Sequence, residues 1–369
     1  KALNYSAWFA WTIYTRTVEK LRTEPVEDFR IDFEDGYGFR SSTEEDDHAA
    51  AAARSLAAAF TAAAITPFSG FRIKSLGPAT YGRAIRTLNI FLETLLENTG
   101  GKLPDNFVVT LPKVSSRREV KELYGLLARI ERSNGLKKGI IGIELMIETA
   151  ASVINKKGRF APGELVAAGK GRITSAHFGA FDYTSALGIA SEHQRLGHPA
   201  CNFARQAMLV TLSPLGIRLS DSVTTHLPVP LHRTEPLSEL QSDENRRAVH
   251  AGWKVHFANV TRSMSEGFYQ SWDLHPNQLP ARYAAVYAFF LSGADEQGKR
   301  LREFLENATR ANLAGAVFDD AASAQGILNY FRRAVACGAL TAKEAELSTG
   351  LSTQELNSKT FLEIAEERR

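Results

Sequence analysis

The chain has 369 residues, 44% of them hydrophobic and 23% charged, with a formal net charge of +3. That length suits one large α/β domain with an appendage or two medium domains, and the mixed-sign charge lacks the clustered basic patch with interleaved aromatics expected of a nucleic-acid binder. The two cysteines, Cys201 and Cys337, are far apart and without ligand-type neighbours, which argues against a disulfide framework or a zinc site and points to a reducing cytoplasm.

The chain opens Lys1-Ala2-Leu3-Asn4, with neither an initiator Met nor a signal-peptide pattern, so an upstream segment is left open. Phe29-Arg30-Ile31-Asp32-Phe33 reads as a strand that runs into the acidic Glu34-Asp35-Gly36. Ser42-Thr43-Glu44-Glu45 then offers a capping box for an alanine-rich helix to about Ala64. The longest apolar stretch, Ala49 to Phe68, is mostly alanine and is interrupted by Arg54, so it is read as part of that helix and not as a membrane span. Further strands are expected at Phe71 to Lys74, Asn106 to Leu111, Gly139 to Ile147, Arg172 to Phe178, Arg218 to Thr224 and Gln270 to Leu274. Helices fall between them, at Tyr81 to Leu96, from the capping box Ser116-Arg117-Arg118-Glu119 to about Ile130, and over a region ending near Leu212.

Strands alternating with helices predict a parallel sheet. The apolar run from Gly139 to Ile147 fits a strand buried on both faces. Polar residues at the carboxyl end of nearly every strand favour a (β/α)₈ TIM barrel over a doubly wound sheet, because such barrels collect their active sites there. Seven strands are visible, and the first of the expected eight is not evident near the N-terminus. After Asn277 the pattern is helical, which predicts a barrel over residues 1–280 and a C-terminal helical extension or lid over 281–369. Trp253 and Phe257 follow helical spacing and are assigned to a core.

The chemistry concentrates at the strand ends. Glu148 closes the strand in Ile147-Glu148-Thr149, and Asp182 follows the next strand. Two carboxylates at adjacent mouths suit Mg²⁺, which is content with one or two carboxylates plus waters and substrate oxygens. Helix capping is the alternative for each carboxylate taken singly. Asp32, Glu34 and Asp35 repel one another unless a cation offsets them, and would order metal-bound water and orient nearby basic groups. Arg72, within a strand, needs an anion, and its planar fork suits a substrate carboxylate. Lys113 either neutralises the acidic cluster or touches substrate. His275 is expected to be structural, while His177, which shares a strand with the Asp182 site, and Asp273 are left open.

In this order, Asp32-Phe33-Glu34-Asp35, Arg72, Leu111-Pro112-Lys113, Ile147-Glu148-Thr149, Gly179-Ala180-Phe181-Asp182 and His275-Pro276-Asn277-Gln278 resemble the motifs of the citrate lyase β-subunit-like branch of the HpcH/HpaI aldolase superfamily. Phe181 departs from the acidic residue usual before the metal aspartate. The resemblance implies a Mg²⁺-dependent carbon–carbon lyase or aldolase, with Mn²⁺ as the substitute metal. Its substrate is a 2-oxo acid or a hydroxyacyl-CoA thioester, cleaved through a metal-stabilised enolate. Glu148 and Asp182 then hold the metal, Arg72 and Lys113 bind substrate, and Asp320 in Val317-Phe318-Asp319-Asp320 matches the C-terminal base or lid residue. Arg83, Arg86, Arg117 and Arg118 are the candidates for a basic rim around CoA. A homo-oligomer, trimer or hexamer, is also implied. The other readings are a CoA-free class II pyruvate aldolase, a phosphoenolpyruvate-using phosphoryl-transfer enzyme and a non-catalytic barrel.

Overall fold

Short runs rich in β-branched and aromatic residues become strands, and the helices after the first five carry apolar stripes that pack on them. The computed structural model of the chain describes residues 6–310 and 321–368. After α1 (Ala7–Thr23) come β1 (Asp28–Asp32), α2 (Ser42–Thr61), β2 (Phe68–Arg72), α3 (Tyr81–Asn98), β3 (Phe107–Leu111), α4 (Arg117–Ser133) and β4 (Gly142–Ile147). Two short helices, α5 (Ala150–Val153) and α6 (Pro162–Ala168), precede β5 (Ile173–Phe178) and α7 (Ala180–Ala186). Then follow α8 (Pro199–Leu212), β6 (Arg218–Asp221), α9 (Glu239–Ser265) and β7 (Gln270–Ser271). The tail is α10 (Leu279–Arg310), α11 (Ala321–Ala336), α12 (Ala342–Thr349), α13 (Thr353–Ser358) and α14 (Phe361–Glu367).

All seven strands are parallel and lie in chain order, β1 to β7. The sheet curls until its ends meet: Gln270 Nε2 on β7 donates to Asp28 Oδ2 on β1 at 3.2 Å. Arg30 on β1 also reaches across to Glu144 on β4, with Nε 3.5 Å from Oε1. The architecture is therefore the expected barrel type, with the seven strands visible in the sequence present among the described residues. Where the first strand was sought stands α1. Ser6 caps it by accepting from the Phe9 N–H, and Ile13, Thr17 and Lys20 recur at helical spacing on its buried face.

Alternation along the strands sorts the side chains. Phe71 turns outward and stacks on Phe91 of α3, ring centroids 4.0 Å apart. Gly70 lets β2 and β3 approach, since a Cβ there would stand 2.2 Å from the Val108 carbonyl oxygen. The inner face is polar where barrels of this kind are usually filled by branched apolar residues. Glu144, buried inside, accepts from Thr110 Oγ1 at 3.0 Å and Ser175 Oγ at 2.8 Å in addition to its pairing with Arg30.

The chain separates into two compact units, neither continuous in sequence. One comprises residues 26–225 and 265–274 and holds the whole sheet; the other comprises 1–25, 226–264 and 275–369. Against the single boundary expected near residue 280, α1 and nearly all of α9 group with the helical tail. In α9 the buried positions are Gly252, His256, Val260, Ser263 and Met264, while Trp253 and Phe257 sit half-buried on its flank. Among the described residues no helix is long and apolar enough to cross a membrane.

Candidate active site

The carboxyl end of β1 meets the carboxyl end of β2 in a two-point clasp. Arg72 donates from Nε to Asp32 Oδ1 at 2.7 Å and from Nη2 to Asp32 Oδ2 at 2.6 Å. Asp32 also accepts the backbone N–H groups of Glu34 and Gly36, each at 2.9 Å. Burial pushes the Asp32 carboxyl up, but Arg72 and these two N–H groups outweigh it and hold its pKa below the usual range. Four donors engage Asp32, which anchors Arg72. A Cβ at Gly36 would stand 2.6 Å from Asp32 Oδ2, and glycine there lets the turn close. The remaining nitrogen of Arg72, Nη1, lies 3.2 Å from Glu34 Oε2 and 3.3 Å from Met146 Sδ. Trp272 covers the guanidinium, whose carbon is 5.4 Å from the ring centre.

Glu34 and Asp35 meet Lys113, which follows β3. Its Nζ is 2.5 Å from Glu34 Oε1, 2.8 Å from Asp35 Oδ1 and 3.6 Å from Asp182 Oδ1. Burial lowers the readiness of the ammonium to stay charged, yet these carboxylates raise its pKa above the ordinary lysine value. Lys113 adopts φ +49°, a left-handed conformation that costs a non-glycine residue about 1–2 kcal/mol. The turn aims its N–H at Glu148 Oε1, 2.5 Å away.

Glu148 is the least compensated carboxylate of the group. It is 1% exposed, and among the described residues no basic side chain forms an ion pair with it. Burial first and the nearby Asp182 charge second push its pKa up to about 8. Gly179 makes room for it: a Cβ there would stand 2.5 Å from Glu148 Oε2. The capping alternative for Glu148 is answered by its neighbour, because Thr149 caps α5 by accepting from the Ser152 N–H at 3.1 Å. Asp182 lies in the first turn of α7, whose N-cap Gly179 makes no side-chain cap, and burial and Asp35 raise its pKa against the pull of Lys113.

Arg72, Lys113, Glu148, Asp182, Asp32, Glu34 and Asp35 are thus gathered in one unit of the chain, linked by the contacts above. Asp320 lies outside the described residues. His177 is not at this cluster. It is buried, hydrogen-bonded through Nδ1 to Ser220 Oγ at 3.0 Å and stacked on Trp272 at 4.0 Å, and burial depresses its pKa to about 3. His275 is structural, its Nδ1 accepting from the Asn277 N–H at 3.1 Å. Arg83 and Arg86, offered for a CoA rim, are both tied to Asp46 instead. Sequence reasoning passed over Glu144 and Arg30; the signal was the single carboxylate within the otherwise apolar β4 run.

A divalent ion of the Mg²⁺ type fits this donor set. Among the described residues no three or more His, Cys, Asp or Glu side chains converge as a closed metal cage, whereas Mg²⁺ needs only the two carboxylates and room for other oxygens. A cation beside Glu148 and Asp182 would favour the ionised form of Glu148, which burial and the Asp182 charge disfavour.

A curled parallel sheet with acidic and basic groups collected at its carboxyl ends defines the class, that of barrel proteins whose reacting groups sit on the strand mouths. Within it, the chain belongs to the family described as Domain of unknown function (DUF6986), whose model matches residues 1–364. A curated relative, the L-malyl-CoA/beta-methylmalyl-CoA lyase of Rhodobacter capsulatus, is 25% identical over 222 residues, 56% of this chain; the match spans 58% of that relative's length. The crystal structure of a citrate lyase from Burkholderia xenovorans LB400 superposes with a TM-score of 0.65 at 20% identity, covering 92% of each chain, and establishes the fold. A CitE structure from Mycobacterium tuberculosis, in complex with magnesium, acetoacetate and coenzyme A, overlaps at 18% identity over 92% of this chain and 95% of that one, with a TM-score of 0.49. The malyl-CoA lyase relative agrees with the resemblance carried by the motifs.

Proposed function

We propose that this chain is a Mg²⁺-dependent carbon–carbon lyase acting on a 2-oxo acid or a hydroxyacyl-CoA thioester. The observation that carries this reading is Glu148, a buried carboxyl whose pKa is raised to about 8 by burial and the nearby Asp182 charge, with no basic side chain paired to it among the described residues. The malyl-CoA lyase relative supports the same reaction class.

Glu148 and Asp182 would hold the ion. Bound there, it would supply Lewis acidity to the substrate. Arg72, immobilised by Asp32 and covered by Trp272, would bind the substrate carboxylate through Nη1 in exchange for Glu34. Lys113 holds Glu148 from its backbone and the acidic turn from its side chain. Asp320 remains the residue we assign to proton transfer. The exposed aromatics Trp8, Trp11 and Tyr14 on one face of α1 support a homo-oligomer, for which light scattering should give a trimer or hexamer mass.

The test is cleavage of malyl-CoA and of a 4-hydroxy-2-oxo acid, together with decarboxylation of oxaloacetate, with and without Mg²⁺. Activity that requires Mg²⁺ and is lost in Glu148→Gln is expected; metal-independent turnover, or full activity in that variant, defeats the proposal. A CoA-free pyruvate aldolase is the second reading. It is favoured by the engagement of Arg83 and Arg86 with Asp46, which leaves Arg117 and Arg118 of the suggested rim. Turnover of the free acid but not the thioester would select it.

A further inference from the structure

Lys113 serves the site with two atoms that can act separately. Its backbone N–H is committed to Glu148, 2.5 Å from Oε1, by a left-handed residue with φ +49°. Its ammonium is held by Glu34 and Asp35 and lies farther from Asp182, at 3.6 Å from Oδ1. The side chain is about one-third exposed, on a flexible four-carbon stem that can redirect its point charge, unlike the fork of Arg72 locked on Asp32. The ammonium therefore occupies the electrostatic place of a cation beside Asp182, and can leave it without disturbing the N–H that fixes Glu148.

Resting on the lyase reading above, we propose that Lys113 is a positioning residue that exchanges partners. Its ammonium neutralises Asp182 while the site lacks a divalent ion, and turns to the carboxylate of the incoming 2-oxo acid once Asp182 has taken that ion. Like charges beside one carboxylate repel, so the ammonium weakens uptake of the ion alone; an anionic substrate then gains the released charge. Cation first and anion second is the order that follows. The left-handed turn is what separates the two duties, since it anchors Glu148 through the main chain and leaves the side chain available to move.

The test is Mn²⁺ binding to the full chain, read from the electron paramagnetic resonance signal of the free ion, without and with oxalate. Lys113→Met and Lys113→Gly are compared with the unaltered protein. Both variants are expected to bind Mn²⁺ alone about 5-fold or more tightly, and the Mn²⁺-loaded variants to bind oxalate about 10-fold more weakly. Equal or weaker Mn²⁺ binding in the variants, or tighter Mn²⁺ binding with unchanged oxalate affinity, overturns the exchange while leaving the metal pair and the lyase reading in place. An unaltered protein that takes up no Mn²⁺, or a Glu148→Gln protein that binds it equally well, overturns both. Lys113→Gly retains the N–H and suits φ +49°, so it carries the comparison should the Met variant fail to fold.

Discussion

Glu144 and Glu148 sit four positions apart on and just beyond one strand, both buried, yet their surroundings differ completely. Glu144, in the barrel interior, has Arg30, Thr110 and Ser175 around it, and although burial pushes its carboxyl up, these partners and His177 hold its pKa below the usual range. Glu148, at the mouth, has one backbone N–H and a carboxylate neighbour, and its pKa is pushed up to about 8. Burial is common to the two and so marks neither. What separates the two carboxylates is whether the fold itself supplies the counter-charge.

The largest effect expected from this contrast is on activity. Glu148→Gln should lower turnover by about 10³-fold or more, with Mg²⁺ binding lost and the fold retained by circular dichroism, as befits removal of a charge that stabilises the transition state. Glu144→Gln should do the reverse. It leaves Arg30 with Asp28 as its remaining carboxylate partner, so denaturant unfolding should show a loss of about 1 kcal/mol. Equal stability losses in the two variants would erase the distinction. Arg72→Lys replaces the two-point clasp on Asp32 by a single charge, and kcat/KM should fall by about 10²-fold while Tm changes little.

The smallest and most discriminating effect is the pH dependence of stability in metal-free protein. Glu148 has a folded pKa of about 8 against an ordinary value of 4.5, so the folded state binds the proton more tightly. Its contribution is full below about 4.5 and is lost as pH rises through about 8. Glu144 has the opposite sign, contributing above the ordinary 4.5 and losing that contribution as pH falls through its lowered value. Tm measured from pH 5 to 8.5 should therefore decline with a component that Glu148→Gln abolishes and saturating Mg²⁺ reverses. An identical slope in that variant would remove the electrostatic basis of the site.

The seven strands among the described residues were legible in the sequence, β3 and β4 as largely apolar runs and the more polar β1, β6 and β7 from their alternation with helical stretches. The site was legible for the same reason: residues at the carboxyl ends of parallel strands must face one another when the sheet curls. Partner choice was hidden. Asp32 and Arg72 are 40 positions apart, and only the register pairing Asp32 with Arg72 shows that the clasp uses up the aspartate. Arg83 and Arg86 looked available for a ligand until α2 brought Asp46 against them. Glu144 was lost within an apolar run because alternation places one polar side chain inside for each apolar one outside, and Arg30, its counter-charge, lies three strands away. The helix α1 was missed because its buried face is narrow, with Ile13, Thr17 and Lys20 only.

The strictly sequential strand order has a consequence for synthesis on the ribosome. As the chain emerges, Asp32 waits for one further strand before Arg72 arrives, and Glu34 and Asp35 wait for two before Lys113 does. Glu148 and Asp182 appear last, when both basic groups are already claimed. The nascent barrel thus pairs most of its charges as it grows, and Glu148, which gains no basic partner among the described residues, favours its protonated form until a cation takes the proton's place.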